Sequence, residues 1–304
     1  MTEALVNLSN ELAEIVRAVD PSVVSLQARR HYPSSGVRLG AELIVTASHT
    51  LEREEEVAVT LADGTAASAA LIGRDSGTDL ALLKISPAPA PIKELEHAAE
   101  LRAGELTIVV GRSPDSGVNA SLGIVSALSG PWRTWRGGEL DAYIRLDARL
   151  FPQSSGGAVV NARGQFVGIA TSALSRIAGL AIPASSVKSV TEKLLQRGFV
   201  PRGYLGIGVQ PVPIREDLQQ KLKIPIREGL IVLTVEKDGP ADLAGILPGD
   251  IVAGIGDAAV EKVDDLRKYS DSGVIGQQVT ITFVRGGEVR KSQITVAERP
   301  RRRS

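Results

Sequence analysis

No cysteine occurs in the 304 residues. That excludes disulfides, thiolate-held metals and a cysteine nucleophile, and it leaves the redox compartment open. Neither sign of charge is in excess, because 35 Lys and Arg stand against 35 Asp and Glu. No general field therefore draws the chain to nucleic acid or to an anionic membrane. The one locally basic stretch is the tail Arg299-Pro300-Arg301-Arg302-Arg303-Ser304, read as a solubilising end. No apolar run is long enough to span a bilayer. Residues 1–20 contain acids where a secretory signal needs an unbroken apolar core, so the chain as written reads as cytoplasmic, or as exported if a leader has been removed. Histidine is scarce as well: His31, His49 and His97 are the whole supply.

What is abundant points to strands and turns. Hydrophobic residues make up 43% of the chain, enough for buried cores, and 31 Gly with 16 Pro favour short strands over long helices. The length suits two domains. Residues 3–19 place Leu5, Leu8, Leu12, Ile15, Val16 and Val19 at spacings of three and four, the pattern of an amphipathic helix ended by Asp20-Pro21. Its polar face is acidic, which favours docking on the protein's own core over a lipid surface. From Ser22 the pattern turns to short apolar runs divided by turn residues, without βαβ alternation, so barrels or a sandwich are expected. Arg29 to Gly36 reads as a polar loop, residues 87–91 as a crossing between two halves, and the surroundings of His97 as helical. A helix over 185–197 stops at Gly198. The expected division is an N-terminal helix over 1–20, a first domain over 21–197, a linker over 198–203, a second domain over 204–296 and a tail over 297–304. The second domain has strands near 204–209, 230–236, 250–255, 278–284 and 289–296, and helices near 240–245 and 263–270.

Chemistry concentrates around Phe151-Pro152-Gln153-Ser154-Ser155-Gly156-Gly157. A serine followed by two glycines allows close backbone approach by a substrate, and a tight turn there can aim successive N–H groups at one developing negative charge. The same letters also make an ordinary turn. His49 ends the strand-like run Glu42–Thr46, where a ring can be presented, although an isolated histidine is most often structural. Asp79 directly precedes the apolar run Leu80–Ile85, a costly place for a carboxylate unless something hydrogen-bonds it; a capping role explains it equally well alone. Together His49, Asp79 and Ser155 supply base, orienter and nucleophile.

Thr46-Ala47-Ser48-His49, the stretch Gly73-Arg74-Asp75-Ser76-Gly77-Thr78-Asp79-Leu80-Ala81-Leu82-Leu83-Lys84-Ile85, Leu122–Ala127, Ser155–Asn161 and Gly179–Pro183 resemble the HtrA family of serine proteases. The resemblance runs from about residue 10 to 197. It implies a mainly β fold, a chymotrypsin-like double β-barrel followed by a PDZ domain, with the site in the cleft between barrels. It implies catalysis by His49, Asp79 and Ser155, an oxyanion hole from the backbone N–H groups of Gln153 and Ser155, and a pocket of Leu150, Ala173 and Leu174. Those three are apolar, so cleavage after small or medium aliphatic residues is expected; core positions would look the same in sequence. Neither a metal nor a cofactor is implied. Relatives usually carry Asn-Pro-Gly-Asn before the serine where this chain has Phe151-Pro152-Gln153-Ser154. A side chain at Gln153 disfavours the peptide rotation that glycine permits.

Residues 203–296 resemble the family's PDZ domain, most specifically through Asp238–Val252, with Gly203–Ile207 and Val263–Leu266 also matching. The resemblance implies that Tyr204, Leu205, Gly206 and Ile207 bind a C-terminal carboxylate, that a partner strand adds beside 207–209, and that Leu266 and Tyr269 line the groove. The segment Ser129–Glu139, which holds Trp132 and Trp135, falls where the family relays regulatory signals; packing against a neighbouring loop or subunit is the plainer reading. Relatives form trimers through N-terminal contacts often rich in aromatics, and residues 1–31 contain none. The expected function is an ATP-independent endopeptidase of protein quality control acting on unfolded or exposed polypeptide. The alternative is a catalytically silent relative that holds peptides as a chaperone or adaptor.

Overall fold

The structure is a computed structural model and describes residues 3–29, 32–52, 56–214, 216, 219–220, 226–267, 269 and 272–300. His31 and residues 301–304 of the basic tail lie outside them. The chain divides into two compact units, Met1–Val200 and Pro201–Ser304.

In the first unit, α1 (Glu3–Val19) leads into β1 (Val23–Gln27), β2 (Ser34–Leu39), β3 (Leu43–Ala47), β4 (Val57–Thr60), β5 (Ala66–Asp75) and β6 (Leu80–Ser86). These close into an antiparallel barrel in the order β1-β2-β3-β6-β5-β4. Then follow β7 (Leu106–Ser113), β8 (Gly117–Ser129), β9 (Trp132–Arg133), β10 (Glu139–Leu140), β11 (Tyr143–Asp147), β12 (Ala158–Asn161), β13 (Phe166–Thr171), β14 (Gly179–Pro183) and α2 (Ala184–Arg197). The second barrel runs β11-β14-β13-β12-β7-β8, and β9 and β10 form a separate ribbon.

The apolar runs are continuous because both faces of the central strands are buried. Along β6, Leu80 and Leu82 point into a core shared with Ile108, Val160 and Ile182 of the second barrel. Ala81, Leu83 and Ile85 point into the first barrel's own interior with Leu26, Ile44 and Val59. β12 does the same, sending Ala158 and Val160 to the shared core and Val159 to the second barrel's interior. The two-residue period of a strand thus splits one run into two cores. Each fully buried Leu, Ile or Val contributes about 1.5–3 kcal/mol, so the shared core clamps the barrels on either side of the cleft.

Only the C-terminal half of α1 packs as its periodicity predicts. Leu12, Ile15 and Val16 lie against the shared core with buried Val19, whereas Leu5 and Leu8 are exposed. Two other expectations are corrected. Ser34–Gly36 belongs to β2 rather than to a polar loop, because the barrel junction satisfies the Ser35 hydroxyl: Ser35 Oγ donates to Gln153 O at 2.6 Å and accepts from Arg112 N at 2.9 Å. The segment around His97 is extended, not helical. It runs beside β13 with Phe166 N donating to Glu96 O at 2.7 Å and Ala98 N to Phe166 O at 3.0 Å, so pairing across the fold overrides local helix propensity.

The second unit holds β15 (Gly203–Tyr204), β16 (Ile207–Pro213), β17 (Glu228–Val235), α3 (Pro240–Leu243), β18 (Ile251–Ile255), β19 (Ala258–Ala259), α4 (Val263–Arg267), β20 (Gln278–Arg285), β21 (Glu288–Thr295) and β22 (Ala297–Glu298). The main sheet runs β16-β17-β18-β20-β21, with β19 on β18 and β15 paired to β22. Leu230, Val232, Ile246, Val252, Ile281 and Ile294 fill its core. Beside that core, Asp250 is buried and accepts Arg285 Nε and Nη2 at 2.7 Å each and Leu247 N at 2.8 Å. Burial alone would raise this carboxyl, but the Arg285 and Leu247 bonds outweigh it and hold it below the ordinary aspartate value. A carboxyl lowered by folding adds stability above its unfolded value, which is lost as pH falls through the folded one. Asp250→Asn, which removes the charge paired with Arg285, is expected to destabilise the second unit at neutral pH. Hydrogen exchange at Leu230 and Val232 in the full chain measures it, and the gap from the parent narrows as pH falls below the ordinary aspartate value of about 3.9.

Candidate active site

β3 delivers His49. The strand ends at Ala47, and a short 3-10 turn over Ser48–Thr50 follows, closed by Thr50 Oγ1 donating to Ala47 O at 2.7 Å. The β5–β6 turn delivers Asp79. Within it the Asp75 carboxylate accepts Gly77 N at 3.2 Å, Thr78 N at 3.1 Å and Thr78 Oγ1 at 2.8 Å, an aspartate-built turn of the kind that short polar side chains favour. Asp79 itself has φ 60°, in the left-handed region that costs a non-glycine residue on the order of 1 kcal/mol.

That conformation is held from several sides. Ser48 N donates to Asp79 O at 2.9 Å and His49 N to Asp79 Oδ1 at 2.8 Å. The imidazole Nδ1 lies 2.8 Å from Asp79 Oδ2, and Thr171 Oγ1 donates to the same oxygen at 2.6 Å. Asp79 is fully buried, while 18% of the His49 side chain is accessible. A buried carboxylate that accepts three hydrogen bonds is a stable orienter. Since Nδ1 is engaged as the donor to a carboxylate, Nε2 is the ring atom left to act as base.

Ser155 follows the 3-10 turn Pro152–Ser154, in which Ser154 N donates to Phe151 O at 2.8 Å. Its position is fixed by Ser35 N donating to Ser155 O at 3.0 Å, which ties the nucleophile's backbone to β2 of the opposite barrel. Gly156 is required beside it. With φ 85° and a Cβ that would overlap Ser35 O and Thr46 Oγ1, no other residue fits the close approach of the two barrels. The Ser155 hydroxyl lies 3.2 Å from Ser172 Oγ. Among the described residues no hydrogen bond joins it to His49.

The remaining expected positions fall as follows. Gln153 lies within the 3-10 turn, its carbonyl engaged by Ser35 Oγ at 2.6 Å. Leu150 is half-buried and packs over Gly179. Ala173 is half-buried and donates its N–H to Thr171 Oγ1 at 3.1 Å. Leu174 is buried in the shared core. Thr171 and Ser172 were not singled out by sequence reasoning; the available signal was a hydroxyl pair directly after the apolar run Phe166–Ala170. His97 stacks near Phe166 at 5.8 Å between ring centroids, away from this cluster. Among the described residues no group of three or more His, Asp or Glu is placed to hold a metal ion, and no helix is long and apolar enough to cross a membrane.

In the second unit, Tyr204, Leu205, Gly206, Ile207 and Leu266 line one concavity of about 210 Å³, with Val209, Val263, Arg267 and Arg299. It lies between β16 and α4. Among the described residues β16 is the outermost strand of its sheet and pairs only with β17, so its far edge is open to strand addition. Tyr269 does not line the concavity; its hydroxyl donates to Ile255 O at 3.3 Å.

Two six-stranded barrels with a histidine, a buried aspartate and a serine from separate loops at their junction, followed by a small domain with an open strand edge, define a trypsin-like peptidase architecture with a peptide-binding module. Residues 34–169 match the family described as "Trypsin-like peptidase domain" and residues 203–296 the family described as "PDZ domain". The chain is 32% identical over 267 residues to a "Probable periplasmic serine endoprotease DegP-like" of Brucella suis biovar 1, an alignment covering 84% of this chain and 50% of that protein. It is 34% identical over 250 residues to a protein of the same description from Rickettsia conorii, covering 80% and 49%. The chain thus spans about half the length of the curated relatives it matches. Among solved structures, the serine endoprotease from Yersinia pestis superposes with a TM-score of 0.73 at 28% identity, covering 95% of this chain and 98% of that one. The HtrA-type protease AlgW with a decapeptide gives 0.74 at 27%, covering 95% and 99%. With domain order, motifs and barrel topology in agreement, this chain belongs to the HtrA-type serine proteases with a C-terminal PDZ domain.

The Ser155–Ser172 contact generates a first expectation at the site. A neutral hydrogen bond is worth about 0.5–1.5 kcal/mol net, so Ser172→Ala should release the Ser155 hydroxyl toward His49. Labelling by a fluorophosphonate probe is expected to speed up about two- to tenfold. An unchanged or slower rate would mean that Ser172 does not restrain the nucleophile.

Proposed function

We propose that this chain is an ATP-independent serine endopeptidase of protein quality control that cleaves unfolded or exposed polypeptide. The observation that carries the reading is the buried Asp79 carboxylate binding His49 through both its ring and its backbone, in the unit that also presents Ser155. On substrate binding, the Ser155 hydroxyl turns from Ser172 to His49 by one staggered rotation. His49 Nε2 takes the proton as Oγ attacks the peptide carbonyl, then gives it to the leaving amine. Asp79 keeps the ring in the productive tautomer and stabilises the imidazolium. Water enters on the vacated side, loses a proton to His49 as it attacks the acyl carbon, and the bond to Ser155 Oγ breaks as His49 returns the proton to that oxygen, releasing the carboxylic acid product.

Gln153 and Ser155 supply the backbone N–H donors for the oxyanion, and losing one such donor typically costs about a hundred- to a thousandfold in turnover. Leu150 and Ala173, the half-buried pair, form the apolar wall that selects small or medium aliphatic residues before the scissile bond, with Leu174 in the core behind them. The groove of Tyr204–Ile207, Leu266 and Arg299 receives the C-terminus of a polypeptide as a strand beside β16, with Tyr269 packed on the domain core. A tethered reader raises the local concentration of clipped or unfolded chains near the protease. The setting is periplasmic, as the descriptions of the curated relatives suggest, and the assembly is a homotrimer.

A second reading has a specific observation in its favour: Ser155 rests on Ser172 rather than on His49, and Gln153 stands where a glycine would turn freely. In that reading the chain holds peptides as a chaperone or adaptor. Hydrolysis of a fluorogenic peptide with valine before the scissile bond, with Ser155→Ala as control, separates the two. Ser155-dependent cleavage supports the peptidase, and none, even with a groove-binding peptide present, supports the adaptor. For the groove, Arg299→Gln is expected to weaken binding of a peptide with a free C-terminal carboxylate about three- to tenfold, with little effect on its amide. Fluorescence anisotropy measures both.

A further inference from the structure

The β9–β10 ribbon is docked on the turn that carries Asp79. At its heart is Thr134, which is completely buried although its neighbour Trp135 is 65% exposed. Thr134 Oγ1 donates to Gly77 O at 2.7 Å and accepts Gly138 N at 3.0 Å, so the hydroxyl has a partner on each side. The ribbon's own turn closes with Thr134 N donating to Gly138 O at 2.8 Å and Gly137 N to Thr134 O at 2.9 Å. Opposite it, a Cβ on Gly138 would overlap the Gly77 carbonyl and Thr78 N, so backbone meets backbone with no room for a side chain. Leu140, at the far end of the ribbon, is buried in the same core as Leu80, the residue after Asp79.

The turn needs such support. Asp75 organises its inner side through Gly77 N, Thr78 N and Thr78 Oγ1, which leaves the Gly77 carbonyl as the outward handle. Two residues further on, Asp79 adopts φ 60° and aims its carboxylate at His49. We propose that Thr134 is a positioning residue for the catalytic aspartate: by holding the Gly77 carbonyl, it fixes the turn in the conformation that presents Asp79 to His49. The second barrel then grips the aspartate at two points, through Thr171 on the carboxylate and through Thr134 on the turn. The assignment rests on the peptidase reading only in calling Asp79 catalytic.

The test uses the full chain with Thr134→Val, which keeps the shape and removes the hydroxyl, Thr134→Ser, which restores it, and Gly138→Ala, which forces the ribbon off the turn. Two readouts are taken: fluorogenic peptide turnover, and the downfield proton NMR resonance of the His49 Nδ1–H bound to Asp79, assigned with His49→Gln. Thr134→Val and Gly138→Ala are expected to lower kcat about ten- to a hundredfold with KM within about twofold, and to shift or broaden the resonance; Thr134→Ser keeps both near the parent. Values are compared per folded molecule, counted from protected amides of β3 and β12. Thr134→Val with kcat and resonance both within twofold of the parent overturns the assignment, as does a loss that follows only the folded fraction. A parent that shows the resonance and no turnover would sink the peptidase reading, and the resonance in the variants would then decide the role of Thr134.

Discussion

The first unit is organised around one buried carboxylate. Asp79 has no access to water, so its charge is tolerable only because three donors, Thr171 Oγ1, His49 N and the His49 ring, converge on it. Those donors come from β13 of one barrel and from the turn after β3 of the other. The same bonds that stabilise the ion therefore align the imidazole and pin the barrels together beside the cleft. The left-handed backbone of Asp79 is the local cost, offset by the bonds around it.

Ser155 reaches the junction by a different route. Its backbone carbonyl is tied to Ser35 on β2, and Gly156 is pressed against the end of β3, so the Ser155 main chain is as fixed as that of Asp79. Its hydroxyl is less constrained and is shared with Ser172. Backbone preorganisation combined with a side chain that must rotate separates assembling the site from engaging it. The 3-10 turn over Pro152–Ser154, with the Gln153 carbonyl held by Ser35, places the backbone ahead of Ser155 under the same kind of control.

Much of this was legible in the letters. His49 and Asp79 could be picked out because each sits at the end of an apolar run, where a polar residue needs a reason, and the glycines after Ser155 announced a close approach. The barrel strands were legible because burial on both faces leaves unbroken runs of Val, Leu and Ile. What remained hidden depended on partners far away in sequence. Ser34–Gly36 looks like loop until Gln153 and Arg112 are brought to Ser35. The stretch around His97 looks helical until Phe166 pairs with it. Thr171 is an ordinary strand end until Asp79 lies 2.6 Å away. Leu174 illustrates the converse limit, since a buried core leucine and the wall of an apolar pocket read alike.

The most direct test of the central claim, that His49, Asp79 and Ser155 act as one unit across the barrel junction, is a crystal structure of the full chain after reaction with a valine peptide boronate. The expected result is a tetrahedral adduct on Ser155 Oγ, His49 Nε2 within hydrogen-bonding distance of it, the Nδ1–Asp79 bond unchanged, and one adduct oxygen facing the Gln153 and Ser155 N–H groups. An unmodified Ser155 at saturating boronate, or an adduct with the His49 ring turned away, would contradict it.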